Sequence, residues 1–229
     1  TVPQGEASKS FAMLEMLCSR MLSEGFTRTD CVVAVGGGVV GDLAGFAAAT
    51  YLRGVHLIQV PTTLLACVDS SVGGKTAVDL EAGKNLAGAF HHPSLVLCDP
   101  DTLHTLPADV LADGFAEVIK YAVIGDGELF AMLGASNAPD METVIARCVS
   151  QKARIVEEDE TDHGVRKHLN FGHTAGHAIE LRSHFGLMHG HGVAIGMMIA
   201  TGYAIRQGIC PAAALPAVSA SPDTISRKK

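Results

Sequence analysis

Three histidines in a short stretch of the chain are the residues with the clearest chemical potential. His173 and His177 stand four residues apart in LNFGHTAGH, and His189 follows in LMHGH. Side chains at i and i+4 share one face of a helix, so the first two imidazoles could reach one metal ion. A catalytic metal site typically takes three protein ligands. Either all three histidines supply them, or a carboxylate such as Glu117 joins two histidines; otherwise the histidines pack between helices as core residues.

The stretch GGGVVG predicts a close approach of the backbone to a phosphate group. Gly36, Gly38 and Gly41 match G-x-G-x-x-G between a strand-like and a helix-like segment. In a dinucleotide site such glycines let the pyrophosphate reach the N–H groups of a helix N-terminus. That site also needs an acidic residue about 20 positions later, where this chain has residues 61–63, Pro-Thr-Thr. A tight strand–helix turn is the competing interpretation.

A second glycine-rich segment, VDSSVGGKTAVDLEAGKN, covers residues 68–85. It combines Asp69, Lys75, Lys84 and Asn85. Taken alone, the segment is typical of a solvated loop. Two glycine-rich turns beside two strand ends in one small domain favour a ligand cleft instead.

The stretch AEVIKY places Glu117 and Lys120 three residues apart, on one face of a predicted helix. Such spacing usually produces a surface ion pair. The neighbouring residues are mostly apolar, which indicates that this face is not fully solvated.

The hydrophobic pattern predicts two domains. Continuous apolar runs at 31–35, 55–61 and 94–100 are typical of buried parallel strands, with a helix of small residues at 36–54. Another helix is predicted within 8–25. After about residue 104 the chain shows only helical patterns, at 106–124, 141–159, around 173–183 and at 193–208. We therefore predict an α/β N-terminal Rossmann-like nucleotide-binding domain at 1–104, followed by an all-α metal-binding domain at 105–229. The Pro/Ala/Ser-rich tail, 210–229, is predicted to be loose.

Composition excludes several classes of function. A net charge of −7, few aromatic residues and no Trp disfavour nucleic-acid binding. No apolar run reaches about 18 residues, so no membrane span is expected. Six cysteines without a C-x-x-C pattern predict buried free thiols in a reducing, cytoplasmic compartment. The chain starts at Thr1 without Met, and we expect a trimmed chain or a fragment.

Several long motifs together resemble one family. GGGVVGDLAGFAAATYLRG, QVPTTLLACVDSSVGGKTAV, GKNLAGAF, LPADVLADGFAEVIKY and LNFGHTAGHAIE closely resemble the 3-dehydroquinate synthases, a family of sugar phosphate cyclases. The resemblance runs from about residue 5 to about residue 208. It implies conversion of 3-deoxy-D-arabino-heptulosonate 7-phosphate to 3-dehydroquinate and phosphate in the shikimate pathway. The implied cofactors are NAD and a divalent metal, Zn²⁺ or Co²⁺, and the implied assembly is a homodimer.

The same resemblance implies roles for individual residues. The implied metal ligands are Glu117, His173 and His189. The implied NAD-binding residues are Glu6, Lys9, Gly37, Gly38, Val39, Asp42, Thr62, Thr63, Asp69 and Lys84. The residues implied to bind the anionic substrate are Asp69, Lys75, Asn85, Lys120, Lys152, Arg166, Asn170 and His177, with Arg53 reaching the site of a neighbouring subunit. The residues implied to act in catalysis are Lys75, Lys120, Arg166, Asn170 and His177.

The chain departs from the family pattern at three places. It starts after the family's opening strands, it ends before the family's last helices, and it has His191 where the family usually has Glu after the H-G of the last ligand motif. Three alternatives stay open: another sugar phosphate cyclase, a metal-dependent dehydrogenase similar to glycerol dehydrogenase, and an inactive fragment of the synthase.

Overall fold

A computed structural model describes residues 1–135, 137–183 and 186–214 of the chain. The chain divides into two compact units, Thr1–His104 and Thr105–Lys229. The first is an α/β unit with a parallel sheet, and the second is helical. The predicted fold class is therefore confirmed. Most of the predicted loose tail lies outside the described residues.

The first unit contains two α-helices and five strands. They are α1 (Phe11–Ser23), β1 (Cys31–Gly36), α2 (Gly38–Thr50), β2 (His56–Pro61), β3 (Lys75–Leu80), β4 (Gly83–Phe90) and β5 (Leu95–Val96). Short 3₁₀ turns lie at Glu6–Ser8, Tyr51–Arg53 and Pro100–Thr105. The predicted third strand, 94–100, shrinks to the two residues of β5.

The parallel sheet has the strand order β1–β2–β5, with α2 packed on one face. β1 contains three Val residues and β2 contains one Ile and one Val, whose branched side chains fit a pleated surface. Alternate residues of these strands, Ala34 and Leu57, are buried in a cluster with Ala48, Tyr51 and Val55. This packing brings the carboxyl ends of β1 and β2 together, and the Gly-rich turn and the Thr pair follow directly from them.

Residues 68–85 are not a simple loop. Lys75–Leu80 and Gly83–Phe90 form an antiparallel hairpin, in which Lys75 lies opposite Phe90. The sequence analysis missed both strands because glycine and charged residues interrupt their hydrophobic alternation. Their pairing is nevertheless supported by packing, since Val78 is buried against α1 and α2.

A π-helical turn, Ala66–Ser70, connects β2 to the hairpin. Its wide spacing is visible in the hydrogen bond from Ser71 N–H to the Ala66 carbonyl, which spans five residues at 3.2 Å. Thr63 supports its start, because its Oγ1 accepts the N–H of Ala66 at 3.3 Å. π-Helical turns are rare and occur often at functional sites.

The described residues of the second unit form five α-helices. They are α3 (Ala108–Gly125), α4 (Gly127–Gly134), α5 (Met141–Glu158), α6 (His173–Arg182) and α7 (His189–Arg206), with a 3₁₀ turn at Val165–Asn170. Side-chain caps start two of them: Asp126 accepts Leu129 N–H at 2.9 Å, and Asp140 accepts Thr143 N–H at 3.0 Å. The sequence analysis missed α4 and started α7 four residues too late.

Glycines set the distance between α6 and α7. A Cβ atom added at Gly196 would lie 1.9 Å from the Gly172 carbonyl oxygen, and one added at Gly176 would lie 2.9 Å from the Gly192 carbonyl oxygen. Only glycine therefore lets the two backbones approach this closely. Gly172 has a φ of +83°, in the left-handed region, which glycine adopts without the steric cost that a side chain would add.

None of the α-helices in the described residues combines the length and the apolar character that crossing a membrane requires. All six cysteines are free thiols, but only Cys67 and Cys148 are buried, and the other four are partly exposed.

Candidate metal centre and nucleotide-binding turn

A buried carboxylate lies at the centre of the histidine cluster in the second unit. Glu117, on α3, is fully buried. Its Oε1 lies 3.6 Å from Nε2 of His173 and 3.4 Å from Nε2 of His189. Lys120, one turn along α3 and also buried, forms an ion pair with the other oxygen. The usual interpretation of this i,i+3 pair as a surface ion pair is wrong.

Two donor sets are possible, as the spacing indicated. One set consists of His173, His177 and His189. Each residue offers one ring nitrogen, and these three nitrogens lie within 4.8 Å of one another. Glu117 with His173 and His189 forms the alternative set. A tetrahedral zinc site with ligand bonds near 2.05 Å has donors about 3.3 Å apart. The two distances from Glu117 Oε1, 3.6 and 3.4 Å, are close to that spacing, and both sets share His173 and His189.

The second nitrogen of each shared histidine already has a hydrogen-bond partner. Nδ1 of His189 lies 3.0 Å from Oε1 of Glu180, and Nδ1 of His173 lies 3.3 Å from the Phe171 carbonyl oxygen. Carboxylate and carbonyl oxygens accept, so Nδ1 donates in both cases and Nε2 faces Glu117. Metal-binding histidines typically have this arrangement. The residues therefore fit a divalent metal ion.

Electrostatics reinforce this picture at His189. Burial alone would lower the pKa of its imidazole, but hydrogen bonds from the ring to Glu117 and Glu180 raise that pKa to about 10. Without a metal, the imidazole therefore holds a proton between the two carboxylates. A divalent cation offers the same carboxylates a stronger positive partner.

Glu180 contacts the candidate site, and the sequence analysis missed it. It is 4% exposed and contacts the ring of His189 across the α6–α7 contact. Gly192 makes room for it, since a Cβ there would lie 3.0 Å from Glu180 Cγ. The signal was present in LNFGHTAGHAIE, where an acidic residue follows His173 by seven positions and so shares its helix face.

His177 differs from the other two histidines in exposure. It lies on α6 one turn after His173, with ring centroids 5.3 Å apart, and its centroid lies 5.7 Å from that of His189. The residue is exposed, whereas the other two are partly buried. Its imidazole is thus positioned beside the cluster and is accessible to a bound molecule.

Two further cations of the predicted site are buried in the same unit. Lys152, on α5, is 6% exposed and Arg166 is 2% exposed. Arg166 Nη1 donates to the Glu160 carbonyl at 2.5 Å. The loop before it is organised by Asp159, whose carboxylate accepts the N–H groups of His163, Gly164 and Arg166. These backbone hydrogen bonds hold the pKa of Asp159 below its usual range. Asn170 ends the following 3₁₀ turn and is exposed.

In the first unit, the predicted phosphate-binding glycines lie at the start of α2. Gly37 is its N-cap and Gly38 and Val39 open the helix, with no side-chain cap. A Cβ at Gly37 would lie 3.1 Å from Thr63 Cγ2, and one at Gly38 would lie 3.2 Å from Ser70 Oγ. The turn therefore requires small residues, and it presents helix N–H groups at the carboxyl end of β1.

Other predicted NAD-binding residues form a charged cluster in the same unit. Lys9 is buried, and its ammonium group lies 2.9 Å from Asp42, 3.3 Å from Glu6 and 3.9 Å from Asp79. Burial opposes the charge of Lys9, but these carboxylates raise its pKa. Lys84 lies 3.7 Å from Glu6. The structure thus brings together four of the residues that the resemblance implied.

The remaining predicted residues of the first unit lie after β2, in the π-helical turn, in the hairpin and in the 3₁₀ turn after α2. Thr62 and Thr63 follow β2, and Asp69 lies in the π-helical turn. Lys75 opens β3 and is exposed, and Asn85 lies in β4 with a φ of +58°. Arg53 is exposed and has a φ of +69°.

Comparison with known protein families agrees with this layout. The family model described as 3-dehydroquinate synthase N-terminal matches residues 1–113, and the model described as 3-dehydroquinate synthase C-terminal matches residues 114–225. The chain belongs to the 3-dehydroquinate synthase family. A 3-dehydroquinate synthase of Caulobacter vibrioides is 53% identical over 220 residues, which cover 92% of this chain and 60% of that relative. The chain thus spans about 60% of the length of this synthase.

Solved structures of related cyclases share the fold. A 2-deoxy-scyllo-inosose synthase, complexed with carbaglucose-6-phosphate, NAD⁺ and Co²⁺, has a TM-score of 0.87 and 33% identity, and the match covers 98% of this chain and 67% of that one. ValA, a 2-epi-5-epi-valiolone synthase from Streptomyces hygroscopicus with NAD⁺ and Zn²⁺ bound, has a TM-score of 0.89 and 31% identity over 98% of this chain and 64% of that one.

Proposed function

We propose that the chain carries the active-site core of a 3-dehydroquinate synthase, which converts 3-deoxy-D-arabino-heptulosonate 7-phosphate to 3-dehydroquinate and phosphate. One observation carries the proposal most directly: the fully buried carboxylate of Glu117 faces Nε2 of both His173 and His189 at 3.4–3.6 Å. Membership of the 3-dehydroquinate synthase family agrees with it.

In this proposal Glu117, His173 and His189 hold a Zn²⁺ or Co²⁺ ion. The donor spacing and the hydrogen bonds to both Nδ1 atoms support this set. The related inosose and valiolone synthases were solved with Co²⁺ and Zn²⁺ respectively. When bound, such an ion polarises a substrate hydroxyl group and later a carbonyl group. Lys120 is the counter-ion of the second oxygen of Glu117 in the buried site.

The first unit would bind NAD, as both of those relatives do. NAD, when bound, takes a hydride from the substrate and returns it, so no net oxidation results. Backbone N–H groups of the Gly-rich turn would face the pyrophosphate. The residues proposed to hold the cofactor are Glu6, Lys9, Gly37, Gly38, Val39, Asp42, Thr62, Thr63, Asp69 and Lys84.

The substrate carries a carboxylate and a phosphate, and cations must offset both charges. Burial of Lys120, Lys152 and Arg166 in the second unit supports their assignment, because a buried cation gains most from an anionic ligand. The further residues proposed to bind substrate are Asp69, Lys75, Asn85, Asn170, His177 and Arg53. His177, exposed beside the cluster, would move a proton to or from the departing phosphate.

The assignment of Arg53 to a neighbouring subunit's site makes a homodimer part of the proposal. Light scattering of the purified chain tests that part. A cytoplasmic location is part of the proposal, and it is supported by the six free cysteines.

Another sugar phosphate cyclase is the second candidate. Identity favours the dehydroquinate enzyme, because the Caulobacter synthase is 53% identical and the inosose synthase is 33% identical over similar shares of this chain. Product analysis distinguishes the two.

The test supplies the purified chain with zinc, a catalytic amount of NAD and heptulosonate 7-phosphate. Phosphate and 3-dehydroquinate are then measured together. We expect both products in equal amounts, and their loss in His173→Ala. The matched control is His104→Ala, since this histidine is largely exposed. Net accumulation of NADH would point to a dehydrogenase. Stoichiometric zinc binding without either product would identify an inactive fragment of the synthase.

A further inference from the structure

The amino end of α7 is capped by a residue of another helix. Met188 is the N-cap of α7, and its side chain makes no capping hydrogen bond. The first turn of a helix has N–H groups without partners inside the helix, and a side-chain oxygen commonly accepts one at the third position. Here the N–H of His191, the third residue of α7, donates to Oδ1 of Asp113 at 3.0 Å. Asp113 belongs to α3.

The imidazole of His191 strengthens this contact. Its Nδ1 lies 3.0 Å from the same Oδ1 of Asp113, so the backbone and the side chain of one residue both donate to one carboxylate oxygen. Asp113 is 9% exposed. Its negative charge also suits the positive end of the helix dipole. A Cβ at Gly190 would lie 1.9 Å from the Asp113 carbonyl oxygen, so the two backbones touch at this point.

The contact between Asp113 and His191 lies close in sequence to two residues of the proposed metal site. Asp113 precedes Glu117 by one helical turn on α3, and His191 follows His189 by two residues on α7. We propose that Asp113 is a positioning residue, which caps α7 and thereby fixes the imidazole of His189 against the carboxylate of Glu117. The inference rests on the proposed function, because it assigns a task at the proposed metal site.

The same contact explains what His191 does in place of the usual Glu. A glutamate at this position has no donor for the Asp113 carboxylate and would bring a second negative charge towards it. A histidine donates instead. Asp113 and His191 therefore act as one matched pair.

The first experiment compares Asp113→Ala with Asp109→Ala, which removes an exposed carboxylate from the same helix. In the metal-free protein, we expect faster hydrogen exchange of the His191 amide in Asp113→Ala only. In the presence of zinc and a competing chelator, we expect Asp113→Ala to bind zinc about fivefold more weakly. That factor corresponds to the ~1 kcal/mol of a typical helix cap.

The second experiment tests the pair and does not depend on how well Asp113→Ala folds. His191→Glu should weaken zinc binding, and adding Asp113→Asn should restore it. The asparagine at position 113 accepts the backbone N–H of residue 191 with its side-chain oxygen, and its NH₂ group donates to the new glutamate. Cobalt absorption spectra of each variant report whether the ligand geometry follows the affinity. Failure of the second substitution to restore binding would overturn the pairing of Asp113 with residue 191.

The outcomes separate this inference from the proposed function. If wild type and Asp113→Ala bind zinc equally well, the positioning role is refuted while the metal site stands. Unchanged exchange at His191 would refute the cap. If the wild-type chain binds no zinc, the proposed function fails and the positioning role fails with it.

Discussion

Substituting Gly196 with Ala tests whether the contact between α6 and α7 sets the metal site. The added Cβ would lie 1.9 Å from the Gly172 carbonyl oxygen, whereas real Cβ contacts essentially never fall under 3.0 Å. The two backbones must therefore separate locally by at least 1.1 Å, the difference between these distances. The oxygen belongs to the main chain and the position of the Cβ is fixed by the main chain, so no side-chain rotation relieves the overlap.

This separation acts directly on two of the proposed metal ligands, because His173 is on α6 and His189 is on α7. Their Nε2 atoms lie 3.6 and 3.4 Å from Glu117 Oε1, close to the roughly 3.3 Å of a tetrahedral site. Metal–ligand distances tolerate about ±0.2 Å. A shift of 1.1 Å therefore exceeds the tolerance severalfold, and we expect zinc affinity to fall by more than about 100-fold. Overpacking should also destabilise the fold by about 1–3 kcal/mol.

The assay is zinc competition with a chromophoric chelator, with circular dichroism to confirm that the helices are retained. Gly202→Ala is the matched control: it lies on the same helix, and its Cβ would meet no atom within 4 Å. We expect this control to bind zinc normally and to be slightly more stable, because alanine favours helix by about 1 kcal/mol over glycine. Wild-type zinc affinity in a folded Gly196→Ala protein would refute the reasoning.

Two other predictions concern single side chains. Glu180→Gln should weaken zinc binding about tenfold, because His189 loses its charged hydrogen-bond acceptor. The control is Glu157→Gln, which changes an exposed carboxylate and should leave zinc binding unchanged. Equal effects of the two substitutions would contradict a specific role of Glu180. Asp126→Asn should keep the α4 cap but lose the charge of the bidentate pair with Arg147, whose hydrogen bonds hold the pKa of Asp126 below its usual range. Because the pKa of Asp126 is lower in the folded state, its carboxylate stabilises the folded protein at pH values above the pKa of an unfolded Asp, which is near 3.9. Wild type should therefore melt a few degrees above the variant at pH 7, and this difference should shrink as pH falls below about 4; a pH-independent difference would argue against the ion pair.

The strand–helix order and the position of the histidine cluster could be predicted from the sequence because they depend on local patterns. Apolar runs of β-branched residues defined β1 and β2, and the i,i+4 spacing put His173 and His177 on one helix face. The partner strands β3 and β4 could not be predicted in the same way. Their stability comes from pairing with each other and from Val78 packing against α1 and α2.

The sequence pattern left the choice of metal ligands open for a physical reason. Glu117 lies more than fifty residues before His173 in the chain, and only the packing of α3 against α7 brings its carboxylate to the imidazoles. The resemblance to the family suggested this set, and the distances agree with it. Glu180 went unnoticed although its spacing from His173 places both on one helix face, because its contact with His189 is made across two helices. Asp113 has no such signal, since its partner His191 lies on another helix far along the chain.

The π-helical turn after β2 has a consequence for how this chain tolerates changes in length. Each residue of an α-helix advances the chain by about 100° around the axis. Removing one residue from Ala66–Ser70 would allow an ordinary α-helical turn, but it would swing the Asp69 side chain by about that angle. An insertion would swing it the opposite way. The number of residues between β2 and β3 therefore sets the direction in which the Asp69 side chain points.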